Sequence, residues 1–397
     1  MKFPRVLYLF VLLFACLYAD ISRADAVQRR MAAGLNHSLT LKEDGTLWSW
    51  GYNYYGQLGI GSTVDQWFPA QVSTLSNVVA AAGGTYHSVA AKTDGTVWAW
   101  GYNGNGQVGD GTTTHRSSPV AITALTGVVA VAAGGYHTLA VRSDGTVWAW
   151  GYNWYGQLGD GTSSQRNTPV QVSSLSGVIA VAAGQYFSLA LKSDGTVWAW
   201  GYNTNGQLGD GTTSNRLVPV RSGTILNVIA IAAGPQHAVA LKADGTVWAW
   251  GYNSYGQLGD GTTTQRLTAV QASGVANVMA VAAGQYHSVA AKNDGTVVAW
   301  GYNNNGQLGD GTTTQRNTAV AVIGASNVVA IAAGTHTLTL KGDGNVWATG
   351  LNTNGQLGVG TNASRTTLAS IVGFTFAGQV ARSTFGPEGG QYFNLKA

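Results

Sequence analysis

The chain is short of the groups on which most enzymes and metal proteins depend. It has one cysteine in 397 residues, Cys16. That residue lies in a leader-like segment, so the rest of the chain offers neither a disulfide nor a thiolate metal site. Asp, Glu, Lys and Arg together make up only 10% of residues, against roughly 25% in an average soluble protein. Acidic residues recur one to a turn and do not gather into the clusters that calcium needs. No nucleophile–base constellation stands out, which argues against an enzyme. The formal net charge is +4, and the basic residues recur singly rather than in runs. A nucleic-acid footprint is therefore not expected.

Long hydrophobic runs are also missing, with one exception. Val6–Ala19 is apolar, follows Lys2 and Arg5, and leads to the small-residue site Ala24-Asp25-Ala26. It is shorter than the about 20 residues of a transmembrane helix. The order of charge, apolar run and small-residue site reads as a signal peptide over residues 1–26. Export is expected, to the medium, the periplasm or the cell surface, with no transmembrane span in the mature chain. Leu13-Phe14-Ala15-Cys16 gives a minor alternative, a lipoprotein anchor at Cys16.

What the chain has is repetition. The motif Gly-Tyr/Leu-Asn-x-x-Gly-Gln-Leu/Val-Gly begins at Gly51, Gly101, Gly151, Gly201, Gly251, Gly301 and Gly350, five steps of fifty residues and one of forty-nine. A fixed period of this length marks a repeat architecture. In one unit, Val178-Ile-Ala-Val-Ala-Ala-Gly184 reads as a strand buried on both faces. Phe187–Lys192 reads as a second strand, and Ser193-Asp194-Gly195 as the hairpin turn that leaves it. Thr196-Val-Trp-Ala-Trp200 is a third strand with both Trp on one face, and Pro219-Val-Arg221 a short fourth. Four antiparallel strands, seven times over, give an all-β fold, a closed seven-bladed β-propeller over residues 27–375. The small Ala-Ala-Gly strand suits the crowded centre and the Trp-Ala-Trp strand the flared periphery. Every one of the fourteen Trp but Trp67 falls in or beside these units. Residues 376–397 form a partial eighth repeat, since Gly390-Gln-Tyr-Phe-Asn-Leu-Lys396 matches the start of a unit. The first unit has Gln28-Arg29-Arg30 where others are apolar, so the C-terminal segment is expected to replace or reinforce that strand and close the ring.

The unit Ala-Ala-Gly-x-x-His-Ser-x-Ala-x-Lys-x-Asp-Gly-x-Val-Trp-x-Trp-Gly-x-Asn-x-x-Gly-Gln-Leu-Gly resembles the regulator of chromosome condensation repeat. Residues 283–309 carry it almost whole, with Val298 at a Trp position. The resemblance covers about 27–375 and implies a seven-bladed propeller. The eukaryotic founder of the family is a nucleotide exchange factor that binds chromatin, and its exchange activity relies on an insertion protruding from one blade. The units here are nearly constant in length and carry no such insertion. Secreted bacterial relatives include proteins that clamp β-lactamases with one face of the ring.

Residues present in every copy read first as scaffold. His37, His87, His137, His237, His287 and His336, with Phe187 in the fourth unit, read as structural histidines bonded to loop backbone rather than as a metal ring. Asn53 and its repeats read as turn formers, Asp110 and its repeats as loop residues rather than calcium ligands, and Arg116 and its repeats as solvated. His115 reads as merely exposed. Positions that vary on this constant frame are the binding candidates. Before each Gly-Gln stand Tyr54-Tyr55, Gly104-Asn105, Trp154-Tyr155, Thr204-Asn205, Ser254-Tyr255, Asn304-Asn305 and Thr353-Asn354. Before the repeat histidine stand Tyr86, Tyr136, Tyr186 and Tyr286, and the first unit has Trp67 where the loop 112–116 becomes 64–68. The candidate site is thus Tyr54, Tyr55, Trp67, Tyr86, Tyr136, Trp154, Tyr155, Tyr186, Tyr255 and Tyr286. No cofactor and no metal are expected. The expected function is an exported, non-enzymatic propeller that binds a protein partner through these loop tips, with glycan binding as the alternative.

Overall fold

A computed structural model describes residues 30–376. It contains seven four-stranded antiparallel sheets, each holding four strands consecutive in sequence and in space. The blades span 31–71, 78–121, 128–171, 178–221, 228–271, 278–321 and 328–375. In the fourth blade the strands are Val178–Ala183, Phe187–Lys192, Val197–Gly201 and Arg216–Arg221. The fourth strand is longer than the Pro-Val-Arg core read from sequence.

The first strand departs from burial on both faces. It lines the central channel, and a bulge between Val178 and Ala180 leaves Ile179 unpaired and 47% exposed. The second strand is buried along nearly its whole length. In the third, Trp198 and Trp200 share a face at different depths. Trp200 is fully buried in the seam with the preceding blade, while Trp198 is half-buried beneath the Lys192 ammonium, 5.8 Å from its ring. Lys stems shield apolar rings in this way while the charge stays wet.

The seams between blades carry buried hydrogen bonds that repeat around the ring. The Gln57 carbonyl of blade one accepts from Ser88 Oγ at 2.8 Å and from Trp100 Nε1 at 2.9 Å, both in blade two. Because the Ser88 hydroxyl spends its proton on that carbonyl, it faces His37 Nε2, 2.9 Å away, as an acceptor. The histidine is therefore the Nε2–H tautomer. The same clasp joins His87 to Thr138, His137 to Ser188, His237 to Ser288, His287 to Thr337, and His336 to Ser38 across the ring closure. The partner is a hydroxyl of the next blade, not loop backbone. The fourth seam departs from the rule on both sides at once. Phe187 replaces the histidine and Ala238 replaces the hydroxyl, so neither polar group is left buried alone.

Nearer the axis a second belt runs through the backbone. Leu35 N donates to Gly84 O, Thr85 N to Gly134 O, Gly135 N to Gly184 O, Gln185 N to Pro235 O, Gln285 N to Gly334 O and Thr335 N to Leu35 O. Blade five donates no such bond because Pro235 has no N–H. Blade one has a first strand of its own, Met31–Ala33, three residues long where the other six blades have six. The ring is closed among the described residues by side-by-side seams of this kind. The signal peptide, Gln28-Arg29 and residues 377–397 of the partial eighth repeat lie outside the described residues.

Candidate functional site

With four antiparallel strands per blade, the 1–2 and 3–4 connections emerge at one end of the ring and the 2–3 and 4–1 connections at the other. The two ends differ in chemistry. The 2–3 hairpins carry exposed pairs such as Lys92–Asp94 and Arg142–Asp144. Each turn aspartate bonds its own loop, as Asp94 Oδ1 does to Thr96 N and Oγ1. Those hydrogen bonds hold the Asp94 carboxyl below its usual range.

At the opposite end the Gly-Tyr-Asn loops are bound up internally. Asn103 Oδ1 accepts from Val108 N, and its Nδ2 reaches the Thr112 and Thr114 carbonyls. Asp110 uses both oxygens. Oδ1 accepts from Thr112 N and Oγ1, and Oδ2 takes Arg116 Nε at 2.7 Å and Nη2 at 2.6 Å. Burial pushes its carboxyl up, but the Thr112 and Arg116 hydrogen bonds outweigh that and the net shift is downward. Asp160–Arg166, Asp210–Arg216, Asp260–Arg266 and Asp310–Arg316 repeat the pair. The repeat arginines of these five blades are thus half-buried ion-pair partners rather than solvated charges. Blade one has Ile60 and Gln66 in these two places, and blade seven has Val359 opposite Arg365. Among the described residues no group of three or more His, Cys, Asp or Glu is placed to hold a metal ion. No helix there is long and apolar enough to cross a membrane.

What this end presents outward is tyrosine. Tyr54 packs edge-on against Tyr55, which lies 5.3 Å from Tyr86 and 4.9 Å from Tyr102. Tyr102 reaches Tyr136 at 6.4 Å, and Tyr136 stacks on Tyr186 at 5.6 Å. Tyr155 then joins Tyr186 at 5.3 Å and Tyr202 at 4.8 Å. Blades one to four are thereby covered by one continuous arc of rings. Blades five and six carry a second patch, where Tyr255 lies 5.1 Å from Tyr286 and 4.9 Å from Tyr302. Most of these rings are half-buried, while Tyr54 is 66% and Trp154 71% exposed. Burial, then the neighbouring Tyr136, Tyr152 and Tyr155, pushes the Tyr186 phenol up to about 12. Tyr86, Tyr136 and Tyr286 also rim the central channel, a cavity of about 230 Å³ walled mainly by Ala and Gly backbone.

The structure brings eight of the ten candidates, Tyr54, Tyr55, Tyr86, Tyr136, Tyr155, Tyr186, Tyr255 and Tyr286, onto this end as rings in mutual contact. Trp154 stands beside them as the most exposed ring. Trp67 is elsewhere. It lies on the outer strand Gln66–Gln71, its ring against Gly355 of blade seven. The loop alignment that nominated it also shifts, because Asp65 takes the place of His115, each accepting from the Asn of its own loop. His115 is not merely exposed, since it packs 4.7 Å from Tyr102 and 5.3 Å from Tyr55. Sequence reasoning missed Tyr52, Tyr102, Tyr152, Tyr202, Tyr252 and Tyr302, the constant tyrosines of the motif. Constancy read as scaffold, yet each follows the last residue of a third strand and so leaves the sheet onto the same end.

The RCC1-like domain family matches residues 126–385, and the regulator of chromosome condensation (RCC1) repeat matches 44–91 and 94–141. The chain belongs to this family. The solved structure of human WBSCR16 is similar to this ring, with a TM-score of 0.75, 25% identity, and coverage of 82% of this chain and 94% of that one. Prp20p of Saccharomyces cerevisiae, described with its binding properties to Gsp1p and histones, gives a TM-score of 0.68 at 24% identity, over 77% of this chain and 80% of that one. At that identity the likeness is one of fold. The ultraviolet-B receptor UVR8 of Arabidopsis thaliana is 42% identical over 43 residues, 11% of this chain. The match spans 10% of the receptor's length.

Proposed function

We propose that this RCC1-repeat propeller is an exported, non-enzymatic binding module that recognises a protein partner through its tyrosine-covered end. The observation that carries the reading is the arc of half-exposed rings on loops whose motif Asn and Asp side chains are bonded within their own loop, as in Asn103 and Asp110. Tyrosine gives large contact area at low entropic cost. Loops already closed by their own hydrogen bonds would lose little freedom on binding. Family members that bind proteins, such as Prp20p with Gsp1p and histones, support the same class of partner. Export rests on the order of charge, apolar run and small-residue site in residues 1–26. Nearly constant unit lengths leave no insertion of the kind on which nucleotide exchange relies in the founder.

The test is affinity capture from the medium or extract in which the protein occurs, with the wild-type ring and a Trp154→Ala/Tyr155→Ala variant as baits. The variant should lose a discrete captured protein while its melting temperature stays within a few degrees of wild type. Capture of the same protein by both baits would remove this end of the ring as the binding face. A signal displaced by free sugars would replace the protein partner with a glycan.

A further inference from the structure

The rings of the binding end are not scattered. The position two before Gln in the motif alternates, Tyr55, Asn105, Tyr155, Asn205, Tyr255, Asn305, so that odd blades carry tyrosine and even blades an amide. Each of the three tyrosines crosses to the next blade and meets the same two partners. Tyr55 lies 5.3 Å from Tyr86 and 4.9 Å from Tyr102, with Tyr86 and Tyr102 6.3 Å apart. For Tyr155, Tyr186 and Tyr202 the same three separations are 5.3, 4.8 and 6.4 Å. For Tyr255, Tyr286 and Tyr302 they are 5.1, 4.9 and 6.3 Å. Three tilted or edge-on clusters of the same shape therefore sit at the first, third and fifth seams, the seams between them have asparagine at the crossing position, and Tyr136 bridges the first two clusters.

We propose that each tyrosine triad is one site of a trivalent face, and that each takes an uncharged, proline-rich extended segment of the partner. This rests on the reading that the tyrosine end is the binding face and adds what it recognises and how many times. No charged side chain belongs to a triad. In the blades that supply the two partner tyrosines of each triad, Asp110, Asp210 and Asp310 are each paired with an arginine, and the one titratable ring against a triad is His115 at the first, so a charged peptide would find little counter-charge there. A sugar would bring several hydroxyls that each need a partner, but the motif Asn and the Asp of the loops beside each triad are already bonded, as in Asn103 and Asp110. A polyproline helix asks for less. Its rings need aromatic walls, its carbonyls need a few hydroxyl donors such as Tyr OH, and it arrives preformed at low entropic cost. Triad flanks differ, with exposed Tyr54 beside the first, exposed Trp154 beside the second and Ser254 beside the third. The first two sites are accordingly the tighter ones. Linking three weak sites on one ring raises avidity for a partner that offers the segment repeatedly.

The experiment is calorimetric titration of the full ring with a short all-proline peptide long enough for one triad. Three peptides should bind per ring. Tyr255→Asn should reduce that number to two, and Tyr55→Asn/Tyr155→Asn/Tyr255→Asn should abolish binding with little change in melting temperature. Asparagine is the residue the same fold uses at this position in its even blades, so these variants are expected to fold. A stoichiometry of one, or binding unchanged in the triple variant, overturns the three-site assignment. Absence of peptide binding, or titration by neutral trisaccharides that the triple variant abolishes, overturns the proline assignment. If the Trp154→Ala/Tyr155→Ala variant still loses its captured partner while the peptide stoichiometry is one, the face stands and the trivalent proposal falls.

Discussion

The histidine of each unit is held by one residue that no inspection of its own blade reveals. His137 donates to a Ser188 hydroxyl whose proton is committed to Gln157 O. Removing the hydroxyl leaves a buried N–H without an acceptor, at about 1–3 kcal/mol. The natural pair Phe187 and Ala238 shows the neutral solution. Phe187→His alone should therefore destabilise the ring by about 1–3 kcal/mol. The double change Phe187→His/Ala238→Ser should recover that loss by installing a seventh clasp, and chemical denaturation of the three proteins measures it. The same burial lowers the pKa of His37 and His237 to about 4, and of His87, His137, His287 and His336 to about 3. A base depressed in the folded state is stabilising above its unfolded pKa of about 6.5 and loses that stability as pH falls toward the folded value. Melting temperature should accordingly decline from pH 6.5 to pH 4, before the depressed turn and loop aspartates begin to protonate. A flat profile across that window would mean the histidines are not buried as neutral rings.

At the scale of the element, a blade depends on a few backbone positions where no side chain fits. Gly151 ends a third strand at φ +107°, and a Cβ there would press on the Tyr136 carbonyl. Gly134 instead meets the His137 ring and the Gly184 carbonyl of the channel belt. Gly151→Ala is expected to cost on the order of 1–3 kcal/mol through strain, read as a lower denaturation midpoint with unchanged slope. The strands themselves were legible in the sequence because alternation and turn chemistry are local. Asp194-Gly195 marks its hairpin, and the Trp198/Trp200 face follows from a period of two. What was not legible has a common cause. The His–hydroxyl clasp and the tyrosine triads join neighbouring blades, and in a chain where every copy looks alike a contact within a unit and one between units leave the same trace. The joint exception at Phe187 and Ala238, 51 residues apart like most of the clasped pairs, is a trace of the link that became readable only once the seams were seen. The Asp110–Arg116 pair was hidden differently, as six residues of loop that could have splayed into solvent.

For the whole molecule, the period alone gave seven blades of four strands, and the seams explain why such a ring needs no larger side chains at its axis. Its polar clasping is thinnest around blade five. The seam before it lacks the histidine clasp, and the seam after it lacks the backbone belt bond because Pro235 cannot donate. Hydrogen exchange should therefore show the amides of 228–241 opening sooner than those of 128–141, where both seams are complete. Equal protection would mean that apolar packing, not polar clasping, sets the local stability. A second consequence concerns counting. Alternation of two kinds of blade cannot be completed on a ring with an odd number of members. Tyrosine and amide take turns through six blades, and the seventh must break the rule. It does so with Asn354, whose amide turns to Asp65 of blade one. That parity fault abolishes any rotational equivalence the repeats might have had. It gives an otherwise repetitive disc one fixed seam from which its sites can be numbered, so that a partner engaging all three has a single orientation in which to land.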